Sequence, residues 1–179
     1  SVKISILIPT YKRCHLLKWG LFSLSRQNLQ FDFETILLND GVHDETEQLA
    51  NQYKDVLNLR YIFTGRRNTA EKMIWRVPGF ALNIGVKQST GDILVFCCAE
   101  IFHLNNTIEL ITSIYNAENS DKLLAMPKAK DDNGAFLKHI ELTQGNFDKN
   151  IYNDQPPLEN VKFPFFLAIL VEVYYKKGV

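Results

Sequence analysis

Polar side chains that could contribute to a ligand site follow three apolar stretches of this sequence. Thr10 and Tyr11 follow the first stretch, Asp40 follows the next, and Glu100 comes after a nearly unbroken apolar run. A hydroxyl can hydrogen-bond a ligand, an aspartate can accept a hydrogen bond from a base N–H group, and a glutamate is a hard oxygen ligand for Mg²⁺ or Mn²⁺. Together these groups suit a nucleoside diphosphate that binds with a divalent cation.

The segment around Glu100 also carries cysteines and a histidine. Cys97 and Cys98 precede the carboxylate and His103 follows it, so the segment could be a metal site, a sheet corner with one solvated charge, or a redox element. Free cysteine is among the most buried residue types, and no obvious basic neighbour or helix start lowers either thiol pKa. We interpret the cysteines as small packing residues and His103 as a surface or packing residue, which leaves Glu100 as the candidate metal ligand.

The elements that position these side chains alternate between strand and helix. Apolar stretches bounded by turn residues predict strands at residues 3–8, 33–38, 59–63 and 92–98. Apolar residues at three- and four-residue steps predict helices between them. This alternation is typical of an α/β fold with a mostly parallel central sheet flanked by helices, in which ligands bind beyond the carboxyl ends of the strands.

The later half of the sequence is less regular. Asn105 or Asn106 can begin a further helix, residues 123–126 predict a short strand, and residues 131–134 predict a turn. Residues 143–160 are rich in Asn, Asp, Gln and Pro, which favours a long loop, and residues 163–175 are apolar again.

Composition limits the classes of partner. The 179 residues are 46% hydrophobic, which suits one compact domain, or one domain and part of another. Lys plus Arg and Asp plus Glu balance at 20 each, so no net field favours nucleic acid or an anionic membrane. The sequence shows no leader and no run of about 18 apolar residues, so we expect a protein without a transmembrane segment in this chain, cytoplasmic or peripheral at the inner face of a membrane. Its 3 cysteines include no CxxC pair and predict neither a disulfide framework nor a zinc knuckle.

The common nucleotide-binding signatures are missing. No phosphate loop of the form GxxxxGK followed by Ser or Thr is present, and no GxGxxG follows the first predicted strand. A P-loop NTPase and a dinucleotide-binding Rossmann domain therefore lose their main support. A sugar-1-phosphate nucleotidyltransferase has a related sheet, but the glycine-rich signature expected after its first strand is absent too.

Three sequence elements occur in a fixed order: ISILIPTYKR, FETILLNDGVHDET and ALNIGVKQSTGDILVFCCAE. The middle element is similar to a hydrophobic strand followed by Asp-Asp-Gly-Ser-x-Asp, and the last is similar to Ala-Arg-Asn-x-Gly, then Gly-Asp-Ile, then DxD. In this order and spacing the elements resemble the family 2 glycosyltransferases, enzymes of the GT-A fold that use nucleotide-sugar donors. The resemblance covers most of residues 3–115.

The resemblance implies a role for five residues. Thr10 and Tyr11 would line the base and ribose pocket, and Asp40 would accept a hydrogen bond from the base. Asn83 would face the nucleotide or stabilise its loop. Glu100 matches the last carboxylate of DxD and would hold the Mg²⁺ or Mn²⁺ that bridges the diphosphate. The implied reaction is inverting sugar transfer from a nucleotide-sugar, UDP-sugar by default, to a hydroxyl of a saccharide or lipid-linked acceptor.

The sequence departs from the family pattern at three positions. Cys98 stands at the first Asp of DxD, Asn39 at the first of the paired aspartates, and Leu82 where the family often has arginine. The stretch AEIFH resembles a family variant with a lone Glu, and three arginines could supply positive charge: Arg66, Arg67 or Arg76. A catalytically silent domain that binds nucleotide or a protein partner is therefore the first alternative.

The resemblance also predicts two regions. Residues 1–128 would form the nucleotide-sugar-binding GT-A core, and residues 129–179 would begin the acceptor-side region. The final stretch, FPFFLAILVEVYYKKGV, is similar to the sequence that leads into the family's catalytic base, so we expect this part to be incomplete and assign no base within residues 1–179.

Four of the five candidate residues also have a structural alternative. Asp40 could be a turn aspartate that caps its own backbone, and Thr10 could be the N-cap of the following helix. Glu100 could be a solvated carboxylate at a strand end, and Asn83 could stabilise a loop without contacting a ligand.

Overall fold

A computed structural model of the chain describes residues 2–65, 78–118, 123–127, 129, 134–146 and 166–170. The strands are β1 (Ile4–Thr10), β2 (Phe33–Asn39), β3 (Leu59–Phe63), β4 (Ile93–Cys97), β5 (Leu124–Ala125) and β6 (Phe166–Leu170). The helices are α1 (Cys14–Ser25), α2 (Thr46–Gln52), α3 (Pro78–Gln88), α4 (Thr107–Ala117) and α5 (Ala135–Thr143).

The strands form one sheet in the order β3-β2-β1-β4-β6-β5. The first four of these are mutually parallel, whereas β6 runs antiparallel to both β4 and β5. The fold is therefore α/β with a mostly parallel central sheet flanked by helices, as the alternation of sequence patterns predicts.

The core lies on both faces of the sheet because successive strand residues point to opposite sides. On β1, Ile4, Ile6 and Ile8 pack against the layer of α1, α2 and α4, and Leu7 packs on the opposite face against α3. These four side chains are at most 3% exposed, and burying each one contributes about 1.5–3 kcal/mol relative to exposure. The buried strands fix the positions of the loops at their ends.

The first strand is longer than predicted, because it continues through Pro9 to Thr10. Pro9 pairs with Leu38 on the β2 side, whereas pairing with β4 ends at Leu7. Proline has no N–H group to donate to a neighbouring strand. It is tolerated at position 9 because β1 no longer pairs with β4 there. The consequence for the site is that Thr10 is the last strand residue rather than part of the loop.

The later half of the chain confirms some predicted elements and adds one. The strand predicted at residues 123–126 is confirmed in shorter form as β5, and β6 lies in the apolar segment 163–175. The sequence patterns above do not predict α5, whose apolar residues include Leu142 at 76% exposure. The turn residues 131–133 and most of the predicted loop, 147–160, lie outside the described residues.

The division at residue 128 stays a prediction, and β6 from the later region joins the same sheet as β1 to β4. Among the described residues, no helix combines the length and the apolar character that crossing a bilayer requires.

The carboxyl ends of β1, β2 and β4 lie at the same edge of the sheet, which we call the carboxyl edge. The chain moves outward from β1 to β2 and β3 and then returns to the other side of β1 as β4. Strand order therefore reverses between β1 and β4, and in open α/β sheets ligands bind in the crevice at that point.

Candidate functional site

The carboxyl edge brings Thr10 and Asp40 into direct backbone contact. The Asp40 N–H donates to the Thr10 carbonyl oxygen at 2.9 Å, and Thr10 is paired with Asn39 in the β1–β2 ladder. Both Thr10 and Asp40 are nearly enclosed, with 4% and 5% of their surface exposed. Two of the predicted site residues therefore meet at the end of neighbouring strands.

The Thr10 hydroxyl is a buried polar group. Its Oγ1 has no hydrogen-bond partner within the part of the chain that the structure describes. The N-cap alternative for Thr10 is wrong, since α1 begins at Cys14 and its N-cap position is Arg13. A buried hydroxyl that lacks a partner costs about 1–3 kcal/mol, a cost that a ligand hydrogen-bonded to this hydroxyl would recover.

The Asp40 carboxylate is held by its surroundings. Thr64, which follows β3, donates from its Oγ1 to Asp40 Oδ1 at 2.8 Å, and the Thr64 N–H donates to the Asn39 carbonyl at 2.9 Å. The side-chain turn expected of Asp40 is formed by its neighbour Asn39, which accepts from the Gly41 N–H. Asp40 is therefore oriented by the ends of three strands, as a positioned acceptor would be.

Asn39 organises the loop after β2, a role that the sequence patterns do not reveal. Its Oδ1 accepts from the Gly41 N–H at 3.0 Å, and its Nδ2 donates to the Val42 carbonyl at 3.0 Å and to the Tyr61 hydroxyl at 3.1 Å. An amide supplies both acceptor and donors, which a carboxylate cannot do. The amide at position 39 therefore has a structural reason.

Tyr11 lies over the same loop with 42% of its surface exposed. Its Cδ2 is 3.4 Å from the point that a Gly41 Cβ would occupy, and the Lys12 Nζ lies 5.5 Å from its ring centroid. Gly65 approaches from the other side so closely that a Cβ there would contact the Gly41 carbonyl oxygen. The lack of a side chain at Gly41 leaves room for the accessible Tyr11 ring, and the lack of one at Gly65 allows its close approach to the Gly41 carbonyl.

Across the crevice, Glu100 follows β4 and forms an ion pair with Arg13. The Arg13 Nη1 donates to Glu100 Oε1, and the two side chains are 51% and 34% exposed. Arg13 lies three residues after Thr10, so the pair connects the end of β1 to the end of β4. Glu100 is thus at the crevice, and it is paired with a cation that the sequence patterns do not single out.

The backbone that carries Glu100 packs directly on α1. A Cβ on Gly20 would lie 2.7 Å from the Ala99 carbonyl oxygen and 3.2 Å from that of Ile101. Glycine inside a helix costs up to about 1 kcal/mol relative to alanine, and here its lack of a side chain allows the close approach. Gly20 therefore helps to set the position of Glu100.

The two thiols beside Glu100 are protonated at neutral pH. Burial, with the neighbouring charge of Glu100 a smaller cause, raises the pKa of Cys98 to about 11, and burial raises the pKa of Cys97 well above its usual value. The thiolate is the nucleophile in thiol redox chemistry, so the redox interpretation has no support. The packing interpretation fits Cys97, which is 2% exposed.

His103 is buried rather than at the surface. Its Nε2 lies 3.6 Å from Cys97 Sγ, its backbone N–H donates to the Ser23 hydroxyl oxygen at 2.9 Å, and its ring packs edge-on against Phe166 at 5.7 Å between centroids. Burial lowers the pKa of His103 to about 4, so the ring is neutral at pH 7. It acts as a packing residue beneath the Glu100 segment.

Asn83 lies on α3, which packs on the sheet through Ala81 and Val86, and Asn83 itself is on the exposed side of that helix. The three arginines suggested as sources of positive charge, Arg66, Arg67 and Arg76, lie outside the described residues. Among the described residues, Arg13 places a positive charge beside Glu100.

The family relationship follows from a sequence profile. The profile described as Glycosyl transferase family 2 matches residues 5–176, which includes every element of the site. The chain belongs to glycosyl transferase family 2. The resemblance carried by the three sequence elements is therefore confirmed.

The relatives in this family include proteins of known and of unknown activity. An uncharacterized glycosyltransferase of Rickettsia bellii is 25% identical over 152 residues, covering 85% of this chain and 20% of that protein. Staphylococcus aureus TarS, a poly(ribitol-phosphate) beta-N-acetylglucosaminyltransferase, is 25% identical over 134 residues, covering 74% of this chain and 22% of that protein.

Solved structures show that the fold is GT-A. The crystal structure of TarS 1-349 with UDP-GlcNAc has a TM-score of 0.68 at 20% identity and covers 99% of this chain and 48% of that chain. The mannosyltransferase PcManGT of Pyrobaculum calidifontis, in complex with GDP-Man and Mn²⁺, has a TM-score of 0.64 at 16% identity. The match covers 98% of this chain and 46% of that chain. The chain therefore spans about half of these structures and about a fifth of the curated relatives.

The donor set at the crevice fits a divalent cation only if the ligand brings oxygens of its own. No group of three or more His, Cys, Asp or Glu side chains suited to a metal occurs in the described ranges. Cys98 is a protonated thiol, which leaves Glu100 as the hard ligand. Mg²⁺ commonly binds through one or two carboxylates together with substrate phosphates, so a single glutamate in this family 2 chain fits a cation that arrives with a diphosphate.

Proposed function

We propose that this chain is the nucleotide-sugar-binding part of a glycosyltransferase that transfers a sugar from a nucleoside diphosphate sugar to an acceptor hydroxyl. One observation carries the proposal: Thr10, Asp40 and the Arg13–Glu100 pair all lie at the carboxyl edge, where Thr10 contacts Asp40 and the ion pair connects the ends of β1 and β4. Ligands of open α/β sheets bind at that place. Membership of family 2 supplies the reaction class.

Each side of the crevice has its own task in this proposal. On the β2 side, Asp40 accepts a hydrogen bond from the base, Thr10 contributes its buried hydroxyl, and the exposed ring of Tyr11 lies along the nucleoside. On the β4 side, Glu100 faces the diphosphate. Asn83 stabilises the nucleotide loop or faces the nucleotide from α3.

The donor we propose is a UDP-sugar, and the acceptor is a hydroxyl of a saccharide or of a lipid-linked acceptor. Support comes from TarS, which was crystallised with UDP-GlcNAc and with UDP. PcManGT was crystallised with GDP-Man, so a GDP-sugar is the competing donor class. A location in the cytoplasm, or at the inner face of a membrane, is also part of this proposal.

The reaction is inverting. The acceptor oxygen attacks the anomeric carbon from the face opposite the leaving group, a new C–O bond forms, and the bond from the anomeric carbon to the diphosphate oxygen breaks. Mg²⁺ or Mn²⁺, when bound, neutralises charge on the leaving diphosphate. Glu100 would hold the cation, and its ion-pair partner Arg13 would share the charge of the diphosphate. The base that takes the acceptor proton is not assigned within residues 1–179.

A catalytically silent nucleotide-binding domain is the alternative function. Its support is specific: Cys98 stands where the resemblance predicts an aspartate, and Arg13 already pairs with Glu100. No observation favours the sugar-1-phosphate nucleotidyltransferase, since the chain belongs to glycosyl transferase family 2.

Thermal unfolding of the full chain with UDP, GDP, dTDP and CMP, each with and without Mn²⁺, tests the donor site. A ligand that binds only the folded state raises Tm, and at about 100 times its Kd it adds about 2.7 kcal/mol of stability. We expect a metal-dependent rise for UDP. A rise that needs no metal would favour the silent nucleotide-binding domain, and no rise with any nucleotide would contradict the proposed donor site.

A further inference from the structure

The Arg13–Glu100 pair has a charge arrangement that affects how a cation can bind. Glu100 carries the negative charge that would attract a cation, and the Arg13 guanidinium is paired with it. A divalent cation that approaches alone must displace or lie beside this positive charge. Without a nucleotide, the crevice is therefore a poor cation site even though it contains a carboxylate.

The pair is also weak enough to open. The side chains are 51% and 34% exposed, and ion pairs of that exposure contribute about 0–1 kcal/mol. A diphosphate offers Arg13 several anionic oxygens, and guanidinium groups bind phosphate oxygens through two parallel hydrogen bonds. If Arg13 exchanges its partner Glu100 for a diphosphate, the loss of the ion pair therefore costs little free energy and Arg13 gains a stronger partner.

Side-chain movement of Arg13 is the simplest route for this exchange. Gly20 packs against the Ala99 and Ile101 carbonyls and holds the backbone that carries Glu100. Arg13 is the N-cap residue of α1, a helix whose apolar side chains are buried in the core. Both backbones are fixed, so the long Arg13 side chain is the part that can turn from one anion to the other.

Resting on the proposed function, we propose that Arg13 couples the binding of the nucleoside diphosphate to the binding of the divalent cation. Arg13 holds Glu100 when no nucleotide is bound and moves to the diphosphate when the nucleotide arrives. The carboxylate released by this movement then binds the cation. Nucleotide and cation bind cooperatively, and by linkage each increases the affinity for the other by the same factor.

The test compares calorimetric titrations of Mn²⁺ alone, of UDP alone and of UDP with saturating Mn²⁺ on the full chain. The variants are Arg13→Gln, Glu100→Gln and the matched control Arg60→Gln. Arg60 also pairs with a glutamate, Glu34 at 3.8 Å, but it lies near the amino end of β3. Arg60→Gln therefore removes the same charge as Arg13→Gln, but at a place away from the crevice.

The wild type and Arg60→Gln should bind Mn²⁺ weakly alone and UDP at least about fivefold more tightly with Mn²⁺ than without it. In Arg13→Gln, affinity for Mn²⁺ alone should rise by about fivefold or more and affinity for UDP alone should fall. The coupling factor should shrink by the same amount but stay above one, because the diphosphate oxygens still coordinate the cation directly. Glu100→Gln should lose the response to Mn²⁺ in both titrations. The folding of Arg13→Gln is checked by its Tm, which should stay close to that of the wild type.

Two results separate this inference from the proposed function. If wild-type UDP binding depends on Mn²⁺ but Arg13→Gln binds Mn²⁺ alone as weakly as the wild type, the coupling role of Arg13 is overturned and the donor site stands. If the wild type binds none of UDP, GDP, dTDP or CMP with or without Mn²⁺, the donor site itself fails, and the inference fails with it.

Discussion

Arg13, at the start of α1, forms an ion pair with Glu100, which follows β4. The pair spans the crevice between the two strands at which sheet order reverses. Its exposure limits its contribution to stability to about 0–1 kcal/mol. What it contributes is a positioned pair of opposite charges where a diphosphate and its cation would lie.

Glu100→Gln tests the metal ligand. The variant keeps the size of the side chain and removes the charge that attracts a cation, so the Tm rise with UDP should no longer depend on Mn²⁺. Glu118→Gln, at the exposed end of α4, loses the same charge and should respond to UDP and Mn²⁺ as the wild type does. An unchanged response in Glu100→Gln would place the ion elsewhere.

Asn39→Asp tests the amide network of the β2 loop. A carboxylate cannot donate to the Val42 carbonyl or the Tyr61 hydroxyl, and it would face Asp44 Oδ1, which lies 3.4 Å from Asn39 Nδ2. We expect the free energy of unfolding to fall by about 1–3 kcal/mol in chemical denaturation. Exposed Asn105→Asp should change it by less than about 0.5 kcal/mol. Equal stability of Asn39→Asp and the wild type would refute the role given to this amide.

Gly20→Ala tests the support of the Glu100 segment. The new methyl group would press on the Ala99 carbonyl oxygen, and overpacking of this kind costs about 1–3 kcal/mol even though alanine favours the helix. Gly79→Ala is the matched control, since a Cβ there meets nothing within 4 Å. Thermal unfolding should show a lower Tm for Gly20→Ala alone. Equal Tm values for the two variants would mean that the contact is not tight.

His103 predicts a pH dependence of stability. Burial lowers its pKa to about 4 in the folded protein, against about 6.5 in the unfolded chain. The unfolded state therefore binds more protons between these values, so stability is complete above about pH 6.5 and falls as pH decreases toward 4.

The size of this effect is roughly 2–3 kcal/mol between about pH 7 and 4.5. Urea unfolding of the wild type and of His103→Leu over this range measures the difference, because every other titrating group is common to both proteins. One such group is Glu34. Burial raises the pKa of its carboxyl, but hydrogen bonds from Ser5 and Thr90 lower it, and the resulting pKa lies below the ordinary value. A wild-type slope no steeper than that of the variant would contradict the buried neutral ring.

The sequence predicts the framework of the site well because the framework depends on local patterns. Apolar runs and helical spacing locate β1, β2 and β4, and parallel topology then requires Thr10, Asp40 and Glu100 to lie at one edge. That Asp40 accepts a hydrogen bond from a base stays a prediction, although its contact with Thr64 shows that the carboxylate is held.

The side-chain relationships could not be predicted in this way. Arg13 and Glu100 are 87 positions apart, and no periodicity indicates which charges meet across a crevice. The N-cap role considered for Thr10 fails because β1 extends to Thr10 and α1 begins only at Cys14. Gly20 gives no signal in a helix pattern, because its role depends on the path of a distant backbone segment.

The Thr10 hydroxyl offers the most direct probe of the proposed nucleotide site, and Thr35 offers a close control. Both hydroxyls are buried without a hydrogen-bond partner in the described residues, but Thr35 is in the interior of β2, away from the carboxyl edge. Valine has the shape of threonine and removes the unsatisfied hydroxyl, so neither variant should be less stable than the wild type.

The deciding measurement is the calorimetric affinity of Thr10→Val and Thr35→Val for UDP with saturating Mn²⁺. We predict that Thr10→Val binds about tenfold more weakly than the wild type, the equivalent of about 1.4 kcal/mol for one lost hydrogen bond, and that Thr35→Val is unchanged. Wild-type affinity in Thr10→Val, or an equal loss in Thr35→Val, would contradict a nucleotide site at the end of β1.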